Sequence, residues 1–235
     1  MKKKFDYLVY IGRFSPIHAG HVHVIRKALE QSEKLIIVVG SDKKALDIRN
    51  PFPTKFRIDL IRASLTSDEC NRIFFAPQTD YTYNDDRWIA AVQSSVSTVI
   101  SNNPWTAGPV KIGIVGYDKD HTSYYLKKFP QWELIQIAPI NMQHSTDFRK
   151  LLFEGNKLWA EYCTNSEVSM KLLEWMKSDD YIRLSNEYEF VKEYKKQWEK
   201  SPYPPTFVTV DAVVHQSGHV LLVERGAMPG EGLWA

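Results

Sequence analysis

The sequence has few of the features that mark specialised protein classes. It has only two cysteines in 235 residues, Cys70 and Cys163, and they lie too far apart to match a metal-binding spacing or a disulfide framework. Its formal net charge is only +2, which gives no argument for a nucleic acid or a membrane as a partner. Because 43% of its residues are hydrophobic, the chain can still bury a substantial core.

Long apolar segments are also missing. The N-terminal "MKKKFDYLVYIGRF" carries positive charges before an apolar run, but that run is shorter than the apolar part of a signal peptide. No stretch has the roughly 20 apolar residues needed to span a bilayer, and we find neither an internal repeat nor a low-complexity tract. We therefore expect a soluble cytoplasmic protein with free thiols.

Short apolar runs alternate with helical patterns along most of the chain. The runs have strand length and are apolar almost throughout, as expected of strands covered on both faces. They are residues 7–12, 34–40, 71–77, 110–116 and 133–139. Apolar residues recur at helical spacing in 20–32, 54–65 and 86–100. The alternation predicts an α/β fold with a doubly wound parallel sheet of the Rossmann type, in which ligands lie at the carboxyl ends of the strands.

The pattern changes in the last third of the chain. Helical segments follow residue 145, and "SPYPP" at 201–205 reads as a rigid break. Beyond it, "FVTVDAVV" and "HVLLVERG" flank "HQSG", which predicts a β-hairpin. We predict a domain over 1–185, a helical and Pro-rich linker over 186–205, and a further segment over 206–235. A lone hairpin is marginally stable in water, so this segment either closes the first domain or begins a second one.

The stretch "GRFSPIHAGH" places histidines where the first strand passes into the first predicted helix. His18 and His21 are three residues apart, so with Gly20 opening the helix both fall on its first turn. A helix N-terminus has unpaired N–H groups and a positive dipole end, which suit an anion such as a phosphate. The alternatives are structural histidines, to which we assign His23, or a metal site, for which no nearby carboxylate supplies a third ligand.

A second helix start of this kind is predicted at "HSTDFR", residues 144–149. Taken alone, it would be an ordinary helix cap followed by a solvent-facing arginine. Together, the two stretches resemble the HxGH nucleotidylyltransferase superfamily, whose closing motif holds ATP phosphates with Ser, Thr and Arg. Ser145, Thr146 and Arg149 match that motif. The superfamily often has Ser where this chain has His144, so that residue is not assigned.

Other segments are similar to one family within this superfamily, the nicotinamide mononucleotide (NMN) adenylyltransferases of archaeal type. "GSDKKALDIRNPFPTKFR" at 40–57 resembles the segment after that family's second strand, and the family has an aromatic residue for stacking on nicotinamide where this chain has Trp88. The resemblance implies transfer of AMP from ATP to NMN, giving NAD and pyrophosphate. It also implies Mg²⁺ that arrives with ATP, no dedicated metal site, and no nucleic-acid or membrane partner. The sequence leaves a monomer and a homo-oligomer equally open.

The resemblance also implies roles for individual residues. His18, His21 and Arg149 would be catalytic and would act on the phosphates. The remaining ATP-binding residues would be Gly12, Arg13, Phe14, Gly20, Gly116, Asp118, Ser145 and Thr146. The NMN-binding residues would be Arg13, Arg49, Asp80, Asn84 and Trp88. For Arg49 the alternative is a solvent-facing loop residue, and for Trp88 it is packing on the apolar face of its helix.

Residues 206–235 resemble the opening of a Nudix hydrolase domain, a module known to be fused to adenylyltransferases of this type. The glutamates of a Nudix box would follow Ala235, so no hydrolase residue is assigned. We expect a bifunctional parent protein that also cleaves a nucleoside diphosphate, most plausibly ADP-ribose. The alternatives for the main domain are adenylyl transfer to another acceptor, such as nicotinate mononucleotide, pantetheine phosphate or a flavin phosphate, and a non-catalytic nucleotide sensor.

Overall fold

Five parallel strands form one sheet in the order β3-β2-β1-β4-β5. The computed structural model describes residues 3–103, 108–117, 121–138, 140, 143–210 and 212–235. The strands are β1 (Phe5–Gly12), β2 (Ser32–Val39), β3 (Ile73–Pro77), β4 (Ile112–Gly116) and β5 (Glu133–Gln136). They coincide with the five predicted runs to within a few residues, and the predicted doubly wound parallel sheet is confirmed.

Helices connect the strands and continue beyond the sheet. The α-helices are α1 (Ala19–Gln31), α2 (Thr54–Ala63), α3 (Ser67–Cys70), α4 (Asp85–Asn102), α5 (Ser145–Phe153), α6 (Ser166–Trp175) and α7 (Asp179–Lys196). Two 3₁₀ segments cover His121–Lys128 and Lys157–Tyr162. None of the helices in the described part of the chain is long and apolar enough to cross a membrane.

The strand order places a crevice beside β1. The chain leaves β1 for β2 and β3 on one side, then returns to β4 and β5 on the other. In the middle strand Tyr10 pairs with Ile37 of β2 and with Val115 of β4. Because the direction of winding reverses between β1 and β4, their carboxyl ends mark the point where such sheets bind ligands.

The core lies on both faces of the sheet. Alternate residues of β1 point to opposite faces, and both Leu8 and Val9 are fully buried. Val9 belongs to a cluster that includes Val92 and Val96 of α4. Burial of one such aliphatic side chain is worth about 1.5–3 kcal/mol, so this central strand is a rigid base for the loop that follows it.

The chain divides into two compact units, Met1–Trp175 and Met176–Ala235. The division precedes the boundary predicted at residue 185, which falls inside α7. Residues 186–196 are helical, as the sequence analysis expected of this stretch, and they lie within the second unit. The predicted domain bounds stay a prediction. The charged sequence of this stretch supports a helix because it supplies ion pairs at i,i+3 spacing, such as Glu189–Lys192 and Glu193–Lys196.

The second unit contains only a short form of the predicted hairpin. Two-residue strands β6 (His215–Gln216) and β7 (His219–Val220) pair antiparallel across Ser217 and Gly218, which both have positive φ, as a tight hairpin turn requires. The first strand expected over 207–214 is absent from the described residues 207–210 and 212–214. A strand forms only where a neighbouring strand can hydrogen-bond to it along its length. In this hairpin the pairing covers two residues on each side, so the described residues of the apolar run are not strand.

Candidate active site

The first helix begins with a cap built from the two histidines. His18 is the N-cap of α1, and its Nδ1 accepts a hydrogen bond from the Gly20 N–H at 3.2 Å. His21 Nδ1 accepts one from the His18 N–H at 3.4 Å, so the pair forms a capping box in which imidazoles replace the usual hydroxyl and carboxylate. Because each Nδ1 is an acceptor, each neutral ring carries its proton on Nε2 and is a donor there. The helix starts one residue earlier than the sequence predicted.

The two rings are held side by side. Their centroids are 4.0 Å apart, and His18 is buried while His21 is partly exposed. The buried ring of Phe14 lies 5.0 Å from the His21 ring, centroid to centroid. Phe14 has a φ of +50°, and a Cβ on Gly12 would come within 2.9 Å of its ring. Gly12 and Phe14 therefore shape the turn that supports His21.

The late helix start contacts the early turn directly. Ser145 Oγ donates to the Pro16 carbonyl at 3.0 Å, and Arg149 Nη1 donates to the Ser15 carbonyl at 2.5 Å. Arg149 Nη2 also donates to Thr146 Oγ1 at 3.3 Å. The structure thus brings together the two motifs that the sequence analysis paired, although well over a hundred residues separate them.

Three arginines concentrate positive charge at this place. Burial, together with the charges of Arg13 and Arg49, lowers the pKa of Arg149 to about 10, against the opposing effect of Asp47 and Asp147. Arg13 and Arg49 are exposed. None of the three guanidinium groups forms an ion pair with another residue in the described ranges. Several guanidinium groups at one site without an ion-pair partner create a positive potential that suits an anion.

Sequence reasoning missed one arginine of this region, Arg57 of α2. It is 2% exposed and donates to the carbonyls of Arg13 and Gly40, both at 2.7 Å, and of Ser41 at 3.2 Å. A fourth bond goes to Thr54 Oγ1 at 2.8 Å. The sequence contained one signal for this arginine. Arg57 lies three and four residues before apolar residues of α2, so its side chain falls on the buried face of that helix.

Asp80 and Asn84, two of the residues predicted to bind NMN, lie in the chain that follows β3. Asp80 accepts hydrogen bonds from the Ser41 N–H at 3.2 Å and from Ser41 Oγ at 2.8 Å. Asn84 is the N-cap of α4 and accepts from the Arg87 N–H at 2.9 Å. Both side chains therefore order the loops around the crevice.

Trp88 packs against the 3₁₀ segment. Its ring centroid lies 6.1 Å from that of Tyr125 and 5.9 Å from that of Phe129, both edge-on. It is half-buried and borders the core cluster. Such contacts are expected if Trp88 packs on the core, which was the alternative interpretation. A role of Trp88 in stacking on nicotinamide stays a proposal.

Two predictions concern the end of β4. A Cβ on Gly116 would come within 2.7 Å of Leu126, so the missing side chain makes room for the 3₁₀ segment. Asp118 lies outside the described residues. Within the described ranges, no group of three His, Cys, Asp or Glu side chains could hold a metal ion.

Comparisons with known proteins show the family of the chain. The model of the cytidylyltransferase-like family matches residues 9–150. The chain is 33% identical over 186 residues to the nicotinamide/nicotinic acid mononucleotide adenylyltransferase of Acinetobacter baylyi, covering 79% of this chain and 94% of that protein. It is 31% identical to the nicotinamide-nucleotide adenylyltransferase of Sulfurisphaera tokodaii, covering 74% and 94%. The chain belongs to the cytidylyltransferase-like family and, within it, to the NMN adenylyltransferases.

A solved structure extends the likeness to the second unit. It is a bifunctional NMN adenylyltransferase/ADP-ribose pyrophosphatase from Francisella tularensis, complexed with AMP and a manganese ion. The TM-score is 0.86 at 34% identity, and the match covers 98% of this chain but 66% of that one. The chain therefore spans about two thirds of the length of that protein.

Proposed function

We propose that the chain transfers AMP from ATP to NMN, forming NAD and pyrophosphate. One observation carries the proposal: two Nε2–H imidazoles at the start of α1 lie at the same edge of the sheet as three guanidinium groups that lack carboxylate partners within the described residues. Such a site fits a polyphosphate chain. The relatives, which are NMN adenylyltransferases and match the chain over most of its first unit, support this nucleotide reaction.

The reaction needs positioning and charge neutralisation more than covalent catalysis. A phosphate oxygen of NMN attacks the α-phosphorus of ATP in line, a new P–O bond forms, and the bond to the β-phosphate oxygen breaks so that pyrophosphate leaves. We assign His18 and His21 to the α- and β-phosphate oxygens, where Nε2–H donors stabilise growing negative charge. Arg149, Ser145 and Thr146 would hold the β/γ side, which becomes the leaving group.

The Ser145 and Arg149 side chains already bond to the carbonyls of the first turn. The fold has therefore already ordered Arg149, which keeps further N–H donors for the phosphates and would lose little side-chain entropy on binding them. Ser145 would exchange its bond to the Pro16 carbonyl for one to a phosphate oxygen. Gly12, Phe14 and Gly20 would contribute by shaping the turn. Gly116 and Asp118 would lie beside adenosine.

The acceptor nucleotide would lie between the loops that follow β2 and β3. The exposed guanidiniums of Arg13 and Arg49 suit its phosphate, since a guanidinium can bind phosphate oxygens in pairs. Arg13 would also contact the phosphates of ATP. Asp80 and Asn84 keep the loops in place, and the exposed part of Trp88 would contact the pyridinium ring.

Mg²⁺ would enter as part of the ATP substrate. Bound to ATP, the ion would supply positive charge that neutralises the phosphates. The oxygen ligands it prefers would come from ATP and water. Removal of divalent ions with a chelator should abolish turnover, and addition of Mg²⁺ or Mn²⁺ should restore it.

The assay that tests the proposal supplies ATP, Mg²⁺ and one acceptor at a time, and measures pyrophosphate release and NAD formation. NMN should be converted, and nicotinate mononucleotide and pantetheine phosphate serve as competing acceptors. Absence of NAD would contradict the proposal. Tight ATP binding without turnover on any acceptor would favour the nucleotide sensor.

We further propose that residues 206–235 are the first part of a Nudix-like domain and that the parent protein also hydrolyses ADP-ribose. The match with the Francisella protein covers nearly the whole of this chain, including the second unit, and supports this. A polypeptide in which a Nudix box follows residue 235 should release AMP from ADP-ribose with Mg²⁺ or Mn²⁺. No hydrolysis by that longer polypeptide would contradict the proposal. A cytoplasmic location stays a prediction.

A further inference from the structure

Arg57 connects two loops of the candidate site. Its Nη1 donates to the carbonyls of both Arg13 and Gly40, so one nitrogen bridges the chain after β1 and the chain after β2. Its Nη2 donates to Ser41 in the second loop and to Thr54 at the start of its own helix. A planar guanidinium can serve four acceptors spread in this way, whereas an ammonium group offers three donors at one point.

The charge of Arg57 fits this place. Burial lowers its pKa and the Arg13 charge lowers it too, whereas Asp42 and Asp80 raise it. Asp80 in turn holds Ser41 through two hydrogen bonds. Arg57 Nε is buried without a hydrogen-bond partner among the described residues. Leaving a buried donor unpaired opposes folding, so stability alone does not explain a guanidinium here.

We propose that Arg57 is a positioning residue, which sets the distance between the loop after β1 and the loop after β2 and thereby directs the Arg13 side chain toward the phosphates. Arg57 bonds to the backbone of Arg13 and not to substrate. The role of Arg13 in this statement rests on the proposed function. The consequence is that anion binding depends on a side chain that never touches the anion.

Arg72 offers a matched control. It donates to the carbonyls of Leu29 at 2.7 Å, Ser32 at 2.5 Å and Glu33 at 2.9 Å. It does so at the amino ends of β2 and β3, the edge of the sheet opposite the site. Arg72→Lys therefore removes a similar set of carbonyl bonds without changing either loop.

The experiment compares Arg57→Lys with Arg72→Lys in the full chain. Both variants should lower the thermal midpoint, because each loses carbonyl bonds. Only Arg57→Lys should weaken binding of inorganic pyrophosphate in calorimetry and raise the KM for ATP, by about tenfold or more, since a small misplacement of binding groups has large effects. Equal pyrophosphate affinities of the two variants would overturn the inference.

Thr54→Val is the milder variant if Arg57→Lys does not fold. It removes one acceptor of Arg57 and should weaken pyrophosphate binding about two- to threefold, in line with loss of one hydrogen bond. Unchanged affinity would again count against the inference. The proposed function fails separately: a wild-type chain that binds pyrophosphate but makes no NAD disproves NAD synthesis, and weaker binding by Arg57→Lys would still support the positioning role.

Discussion

At each edge of the sheet an arginine side chain donates hydrogen bonds to backbone carbonyls, but the charges around the two arginines differ. At the amino edge, Arg72 donates to three carbonyls, and the nearby Lys4 pairs with Glu133 at 2.5 Å. At the carboxyl edge, Arg57 also donates to carbonyls, but Arg13 and Arg149 beside it have no carboxylate partner among the described residues. The charge of Lys4 at the amino edge is paired with a carboxylate, whereas the charges of Arg13 and Arg149 at the carboxyl edge have no such partner among the described residues and suit an anion from outside the protein.

This difference separates stability from function. Parallel strands put all their carboxyl ends on one edge, and reversal of winding beside β1 opens a crevice there. Changes at the carboxyl edge should therefore act on turnover, and changes of similar chemistry at the amino edge should act on stability alone. Each prediction below compares the two edges or isolates the contribution of one.

The largest effect is expected at His18. His18→Ala should lower kcat about a hundredfold or more, equivalent to about 2.7 kcal/mol of transition-state stabilisation, because an Nε2–H donor to the phosphates is lost. The same change removes the N-cap acceptor of α1. Loss of a cap costs about 1 kcal/mol of stability.

His18→Ser separates these two losses. Serine restores a good N-cap but cannot place a donor where the imidazole Nε2 lies. Its thermal midpoint should return toward wild type while kcat stays low. Recovery of kcat together with stability would assign His18 to a structural role, and the carboxyl edge would lose its main catalytic group.

The next effect concerns pH and Arg13. The pKa of Arg149 lies at about 10, well below its ordinary value, because of burial and the neighbouring Arg13 and Arg49 charges. Between those values the unfolded chain binds a proton that the folded chain does not, so the contribution of Arg149 to stability rises with pH there. Anion binding should fall over the same range, because Arg149 loses its charge.

Arg13→Gln removes one of the repulsive charges. It should lower kcat/KM about tenfold or more through loss of a charge-assisted bond, and it should also raise the pKa of Arg149. The alkaline fall in kcat/KM, measured from pH 8 to 11, should therefore move to higher pH. Lys4→Gln at the other edge is the control and should leave the profile where it is. An alkaline limb unchanged by Arg13→Gln would show that the guanidiniums do not interact.

A smaller effect is expected from two glycines that have no room for a side chain. A Cβ added to Gly12 would lie 2.9 Å from the Phe14 ring. A Cβ added to Gly113 would lie 2.8 Å from Leu8 and 2.9 Å from the Glu133 carbonyl. Overpacking of this kind costs about 1–3 kcal/mol. Gly12→Ala should also lower kcat several-fold, since Phe14 packs on His21.

Gly113→Ala should lower the thermal midpoint at least as much as Gly12→Ala does, because one of its clashes is with a backbone atom. The kcat of Gly113→Ala should be that of wild type. Gly40→Ala is a control at the carboxyl edge, where a Cβ meets nothing closer than 3.8 Å. Thermal melts and steady-state kinetics on the same preparations decide the matter. A loss of kcat in Gly113→Ala equal to that in Gly12→Ala would erase the distinction between the edges.

The sequence predicted most of the sheet because parallel strands covered on both faces leave a simple pattern. Each strand coincides with a short apolar run, and the two helix starts of the site carry recognisable residues. The cap at His18 was harder to place, since imidazoles rarely serve as N-cap acceptors. The sequence predicted a strand over 207–214 that the described residues do not form. An apolar run shows strand propensity but not whether a partner strand lies beside it.

Arg57 shows what sequence patterns leave out. Its acceptors are carbonyls, which every residue has, so no side chain in the sequence identifies them. Sequence patterns also leave out the contacts of Asp80 with Ser41 and of Trp88 with Phe129. The two members of each pair are distant in sequence, and only the fold brings them together. Local patterns predict elements and motifs, whereas contacts between loops depend on how the elements assemble.

The smallest effect is expected from the ion pair at the amino edge. Lys4 and Glu133 both have half-exposed side chains, and the bond from Lys4 lowers the pKa of the Glu133 carboxyl. A carboxyl whose pKa is lowered in the folded state stabilises it above the unfolded pKa, and this contribution is lost as the pH falls. Water screens an exposed pair, so Lys4→Met should leave kcat unchanged and should alter the thermal midpoint only slightly, with any difference from wild type vanishing in acid. A clear fall in kcat for Lys4→Met would mean that charge at the amino edge also reaches the reaction, and the separation between the two edges would be wrong.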